Sequence, residues 1–539
     1  MPRFRHVCMS TYLLWQSTLD AVIYITVVHS KNKDEAGKSL PQKAGLLAGP
    51  VAAVLILLFL DLGPENILAS RTAAVAALMA VWWITEAIPI PATALLPVAL
   101  FPILGIMNGQ AVAGEYFNNV IFLFIGGFIM ALAMQRWNLH RRIALKTMLL
   151  IGTSPKRIIL GFMVATAFLS MWISNTATTM MMVPIAMAVI FKLRETGDTK
   201  VVSRFSVGLL IGIAYSASIG GFATLIGTPP NLAFSRIFAS TFPNAPDITF
   251  ANWFVFGLPT SVVFMVIAWL LLTLIFAPRR NGLNAEVSLF RDEYNRLGRM
   301  TYEEKFVLVL FLALAVLWLF RKDIEIGALA IPGWSRILPF PGFADDGTVA
   351  ILISMLMFVI PSKSIKGSRL MDWSTAVKLH WGIVILFGGG FALAAGFKES
   401  GLSLWLAQQL KVLSGVPPVI MIAAVCAMLT FLTELTSNTA TAQIVLPLLA
   451  SLGIAIGVNP LLLMIPATLS ASCAFMLPVA TPPNAIVFGS GEVKMSDMMR
   501  VGIIMNLCGV VLLTIAIYFL GVSVFGIDLG SIPDWATAR

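Results

Sequence analysis

Apolar residues run almost without charge through 44–60, 72–85, 120–134, 254–276, 306–320, 349–360 and 503–524. A helix needs ~20 such residues to cross about 30 Å of hydrocarbon, and several of these runs approach or exceed that length. Four other apolar segments are interrupted. Residues 158–191 are too long for one crossing and are split by Ser174-Asn175-Thr176-Ala177-Thr178-Thr179. Residues 418–452 are split alike by Ser437-Asn438-Thr439-Ala440-Thr441. Spans 205–235 and 461–491 each contain Thr-Pro-Pro-Asn, at 228–231 and 481–484. Proline lacks an N–H and clashes with the preceding turn, so each pair predicts local unwinding. Polar, non-helical backbone at membrane depth is tolerated only inside protein or against a wet cavity. The pattern therefore predicts an all-α polytopic membrane protein with eleven transmembrane helices and two re-entrant hairpins, 158–191 and 418–452.

Composition agrees. The chain is 58% hydrophobic and 12% charged, about half the charge of an average soluble domain, with mean hydropathy +0.90. The net charge of +10 needs no nucleic-acid partner, because basic loops gather on the cytoplasmic side of membrane proteins. With the N-terminus cytoplasmic, the basic loops 136–157, 192–204, 279–305, 363–378 and 494–500 share that side. Loops 108–118 and 241–252 opposite carry no Lys or Arg. Arg321, Lys322, Arg336, Lys398 and Lys411 run against the bias without reversing it. Residues 1–43 read as a cytoplasmic leader. The cysteines have no metal-ligand spacing, and no nucleophile–base or metal constellation points to an enzyme.

The interruptions are copies of one another. A shift of 263 residues carries Ser174–Thr178 onto Ser437–Thr441, Pro184 onto Pro447, and Gly126-Gly127-Phe128 onto Gly389-Gly390-Phe391. A shift of 253 carries Thr228-Pro229-Pro230-Asn231 onto Thr481-Pro482-Pro483-Asn484. An odd number of crossings separates the hairpins, so the second copy enters from the opposite side. That predicts an inverted-topology repeat with a binding site near the midplane. Its first half is 44–300, with hairpin 158–191 and broken helix 205–235. Its second is 301–539, with hairpin 418–452 and broken helix 461–491. The glycine clusters read as close helix packing.

Ser, Thr, Asn and unwound carbonyls are hard, neutral oxygen donors that suit an alkali cation. The same amides and hydroxyls donate to carboxylates. Across the hairpins and broken spans the single charged residue is Glu434. It is either a proton carrier or a residue that steadies the hairpin tip; its counterpart in the first copy is Met171. An anion buried here lacks a basic partner, and such burial costs many kcal/mol. Co-bound cations supply that charge, which predicts cation coupling.

With two Ser-Asn-Thr tips, each followed by a Thr-Pro-Pro-Asn break, the chain resembles the divalent anion/sodium symporter family from about Ala44 to Phe525. The resemblance implies a homodimer in membrane lipid, with a scaffold domain in each protomer and a transport domain that moves like an elevator. It implies one sodium site at Ser170, Ser174, Asn175 and the Gly227 carbonyl. A second would lie at Thr433, Thr436, Asn438 and the Ala480 carbonyl. Substrate carboxylates would meet Asn175, Thr176 and Thr228 on one side, and Asn438, Thr439, Thr481 or Pro482 on the other. The expected function is sodium-driven uptake of C4-dicarboxylates (succinate, malate, fumarate) across a bacterial inner membrane. The alternative is a dicarboxylate, citrate or sulfate carrier working by exchange or proton coupling.

Overall fold

The computed structural model describes residues 39–537 apart from 61, 63–65, 153, 197, 279–286, 327–328 and 414. Most of the expected 1–43 leader therefore lies outside the described residues. Within them, regular structure is helical except for one ribbon pairing Ile324–Ile326 with Leu329–Ile331. Nine helices among the described residues are long and apolar enough to cross a bilayer, two of them, Asn175–Glu195 and Asn438–Ile456, within the segments expected as hairpins. Apolar helices such as Asp346–Val359 and Leu461–Ser470 fall short of that length. Tyr302–Leu319 is apolar beyond a first turn that carries Glu303 and Glu304.

The helix breaks at both polar motifs, as expected, and the flanking helices are somewhat longer than the apolar runs. The first predicted hairpin has arms Pro155–Ser170 and Asn175–Thr196, the second Pro418–Leu432 and Asn438–Ile456. Each first arm opens on proline, whose fixed φ and missing N–H suit the first turn. Repeat-related Pro184 and Pro447 sit inside the second arms. At the first tip, the Ser174 hydroxyl accepts from the Ala177 N–H at 3.3 Å, meeting one of the free donors that open a helix.

The broken helices differ from expectation in where they break. They run Thr199–Gly221 then Pro229–Thr241, and Leu461–Ser470 then Pro482–Gly489. The prolines do not end the first half; they start the second, at its first two positions. Unwinding occupies 222–228 and 471–481 ahead of them, so the second linker is the longer.

The two repeats interlock crosswise. Asn175–Thr196 of the first hairpin packs on Pro482–Gly489, and Pro229–Thr241 packs on Asn438–Ile456 of the second hairpin. The main apolar core surrounds this crossing. A smaller one joins Ile67–Thr85, Gly109–Tyr116 and Trp381–Glu399 to the flank of the second hairpin. Close packing at the glycine cluster is as predicted: a Cβ on Gly389 would fall 2.3 Å from the Ala94 carbonyl oxygen. That carbonyl also accepts from the Tyr116 hydroxyl at 2.5 Å.

Candidate functional site

Each interruption ends one helix and begins another, so the crossing collects helix termini of both signs. Helices stop at Ser170, Gly221, Leu432 and Ser470 and restart at Asn175, Pro229, Asn438 and Pro482. Free carbonyls at the stops carry partial negative charge, and free N–H groups at the Asn175 and Asn438 restarts carry partial positive charge; the Pro229 and Pro482 restarts begin with two prolines and offer no N–H there. Cation donors belong at the first set and anion donors at the second.

The stops are rich in oxygen. Ser170, fully buried, places its hydroxyl 2.6 Å from Asn175 Oδ1 and 2.6 Å from the Ala217 carbonyl. The Asn175 amide has two orientations. In one, its NH2 donates to Ser170 Oγ at 2.6 Å and to the carbonyls of Ala217 and Gly227 at 3.1 and 3.2 Å. In the other, Oδ1 becomes the fourth oxygen of that cluster, a ligand set for a hard cation. The second repeat reproduces the arrangement. Thr433, also fully buried, lies 2.6 Å from Asn438 Oδ1 and 2.8 Å from the Ala471 carbonyl. A hydroxyl has one proton, so each cluster holds more acceptors than donors.

The remaining expected residues surround these clusters. Ser174, Asn175 and Thr176 are half-buried at one tip; Thr436 and Asn438 are half-buried at the other, where Thr439 is buried. Thr436 bonds the Leu432 carbonyl and Thr441, a tie across the tip from the end of one arm to the start of the other. Thr228 Oγ1 lies 3.2 Å from Ser472 Oγ, joining the two unwound linkers directly. Thr481 caps its helix by accepting from the Asn484 N–H at 3.3 Å. Pro482 is exposed, and the Ala480 N–H turns back to the Leu477 carbonyl at 3.2 Å. The carbonyl that meets Thr433 is that of Ala471. Ala217, Ala471 and Ser472 contribute backbone or hydroxyl oxygen that no side-chain pattern announces.

Glu434 adopts the steadying role. Its buried carboxylate accepts from the N–H groups of Phe475, Met476 and Leu477 at 2.8, 2.8 and 3.0 Å, and from the Asn506 amide at 2.8 Å. Every contact is a donor, and the two carboxylate oxygens act as acceptors throughout. At the equivalent place in the first repeat the polarity is reversed: Thr224 Oγ1 donates to the Met171 carbonyl at 2.5 Å.

A membrane-spanning bundle with two crossed helix breaks, offering oxygen clusters and helix N-termini side by side, is the framework of a secondary transporter. The family model for the sodium:sulfate symporter transmembrane region matches residues 44–527, and the chain belongs to that family. It is a transporter family, not one of enzymes. A sodium-dependent dicarboxylate transporter of Staphylococcus saprophyticus is 45% identical over 93% of this chain and 95% of its own length. The corresponding Staphylococcus aureus protein is 44% identical over the same shares. Among solved structures, the YdaH transporter of Alcanivorax borkumensis matches with TM-score 0.55 and 14% identity, over 83% of this chain and 98% of its own. Neisseria gonorrhoeae MtrF matches with TM-score 0.52 and 16% identity, over 78% and 85%. These two likenesses concern the fold alone.

Proposed function

We propose that this protein couples sodium entry to uptake of a C4-dicarboxylate such as succinate, malate or fumarate, across a bacterial inner membrane with its N-terminus cytoplasmic. The observation that carries the reading is the pair of repeat-related oxygen clusters, Ser170–Asn175–Ala217–Gly227 and Thr433–Asn438–Ala471. Each adjoins a helix N-terminus that carries amide and hydroxyl donors. The names of the staphylococcal relatives agree with it.

The chemistry follows from the two ends of each asparagine. A sodium ion among the oxygens draws Oδ1 inward, and the NH2 then faces outward, where a carboxylate accepts it. Without the ion, Asn175 spends its donors on Ser170, Ala217 and Gly227, and an arriving anion meets oxygen. Each carboxylate of the cargo is thus received by a half-site that a cation has prepared, with Thr176 and Thr228 on one side and Thr439 and Thr481 on the other. Sodium supplies the positive charge that buried anions require. Glu434 is a structural anion in this scheme, and protons are not the coupling ion.

The same reading takes the two hairpins as re-entrant, the chain as a homodimer, and the crossed hairpin–broken-helix unit as the part that moves against the rest. Uptake of labelled succinate into proteoliposomes tests the coupling. An inward sodium gradient should drive accumulation, and choline substitution should abolish it. Equal uptake in sodium-free buffer that depends on internal dicarboxylate would establish exchange instead.

A further inference from the structure

The asparagine that closes each Thr-Pro-Pro-Asn is absent from every ligand set above, yet both copies are fully buried in matching geometry. Asn231 Nδ2 donates to the carbonyls of Gly221 at 3.0 Å and Thr224 at 2.8 Å. Asn484 Nδ2 donates to the carbonyls of Ala474 and Leu477, both at 3.0 Å. The shift of 253 that relates the asparagines also relates Gly221 to Ala474 and Thr224 to Leu477. The acceptors differ in side chain, Gly against Ala and Thr against Leu, because only their backbone is used. What both repeats keep is the amide.

The clipped carbonyls lead to the cation clusters. The Thr224 carbonyl that Asn231 holds also accepts the Gly227 N–H at 3.3 Å; the Leu477 carbonyl that Asn484 holds accepts the Ala480 N–H at 3.2 Å. The Gly227 carbonyl belongs to the first oxygen cluster; the Ala480 carbonyl is the one that the family resemblance gives to the second site, on the linker that also supplies the Ala471 carbonyl to Thr433. In the first repeat the path is closed by packing. A Cβ on Gly227 would stand 2.6 Å from the Gly221 oxygen, the other carbonyl that Asn231 holds. The Gly227 carbonyl itself lies 3.2 Å from the Asn175 amide.

Among the described residues, Oδ1 of each asparagine is buried without a hydrogen-bond partner. Fixing carbonyls that must face an ion demands two donors in one plane, and a primary amide provides them.

We infer that Asn231 and Asn484 are positioning residues for the cation sites. Each clips its unwound linker so that the Gly227 or Ala480 carbonyl is presented to sodium, without touching ion or cargo. The inference rests on the sodium-coupled reading above.

The test uses full-length Asn231→Leu and Asn484→Leu, with Asn231→Ser and Asn484→Ser as milder variants should the leucine forms fail to assemble. Succinate uptake is measured in proteoliposomes against sodium concentration, and thermal unfolding is measured in sodium against choline chloride without substrate. Loss of an outer partner of a metal ligand weakens metal affinity about 10- to 100-fold. The sodium concentration for half-maximal uptake should therefore rise at least roughly tenfold, and the stabilisation by sodium alone should shrink. The succinate KM at saturating sodium should stay within about twofold, because no cargo contact is removed. Variants that lose stability or rate equally in both salts, with an unshifted sodium curve, would overturn the inference and leave the transport reading intact. Wild-type uptake that ignores sodium would overturn both.

Discussion

Asn175 is one side chain with two chemically different ends, and in the proposed scheme coupling follows from which end faces the oxygen cluster of Ser170, Ala217 and Gly227. Asn438 faces Thr433 in the same manner from the other repeat. Asn175→Asp separates the two duties, because aspartate keeps oxygen for the cation and loses the donor for the anion. A hydrogen bond to a charged group contributes ~1.5–3 kcal/mol. Succinate affinity should therefore fall by between roughly tenfold and a hundredfold. Sodium should still raise the thermal midpoint of this variant over choline. Asn175→Ala and Asn438→Ala should each abolish uptake while the protein still elutes as wild type in gel filtration. Normal uptake by either alanine variant would remove that residue from the site.

The elements are governed by how each hairpin is tied to a linker. In the second repeat Glu434 gathers three consecutive backbone N–H groups, at 475–477, in place of the helical carbonyls they have lost. In the first repeat a single hydroxyl, Thr224, does the corresponding work. Glu434→Gln replaces an acceptor by a donor and strands at least one buried N–H, at about 1–3 kcal/mol. Sodium-driven uptake by this variant should fall roughly tenfold. In the wild type, an ionophore that collapses only the pH gradient should leave sodium-driven uptake unchanged. Uptake that follows the proton gradient, with a flat pH profile in the glutamine variant, would restore Glu434 as a proton carrier. The second hairpin tip thus holds its linker by accepting from backbone N–H groups, whereas in the first repeat a linker hydroxyl donates to the hairpin, so the two half-sites are related in shape but not in the polarity of this tie.

At the scale of the molecule, a buried ion pair joins residues 44–300 to residues 301–539, besides the crossed repeats. Arg142, on Leu139–Ile151, pairs with Glu304 at 3.0 Å and also donates to the carbonyls of Leu297 and Gly298. The side chains are 8% and 4% exposed, so water does not screen them. Removing one partner of such a pair costs about 3–5 kcal/mol, whereas replacing both by apolar groups of similar size is near neutral. Glu304→Ala should lower the thermal midpoint markedly, and the double variant Arg142→Met with Glu304→Leu should recover most of it. Equal midpoints for Glu304→Ala and wild type would show that the pair does not clamp the halves.

Much of this architecture was readable from the chain. Membrane class, the two hairpin tips and the repeat are one-dimensional facts: apolar length, polar interruptions and a constant residue shift all survive in a linear string. Ser170, Asn175, Thr433 and Asn438 were named from the family resemblance, and the shift of 263 relates Ser170 to Thr433 and Asn175 to Asn438. Membership of a sodium symporter family was likewise carried by short motifs. Other features required the folded chain. The prolines were expected to unwind their helices locally, and the structure puts the unwound stretch just ahead of them and begins the next helix on them. Backbone oxygens such as those of Ala217 and Ala471 belong to residues with no chemical signature, so only their position beside Ser170 and Thr433 marks them. Asn231 and Asn484 were visible as repeated letters, but their reach back to the linker carbonyls depends on the three-dimensional path of the unwound segment. The character of Glu434 was decided by the donors that folding brings around it. Sequence determines which groups are present and how they repeat. Tertiary structure decides which oxygens face one another, because carbonyls are identical at every residue and differ only in where folding points them.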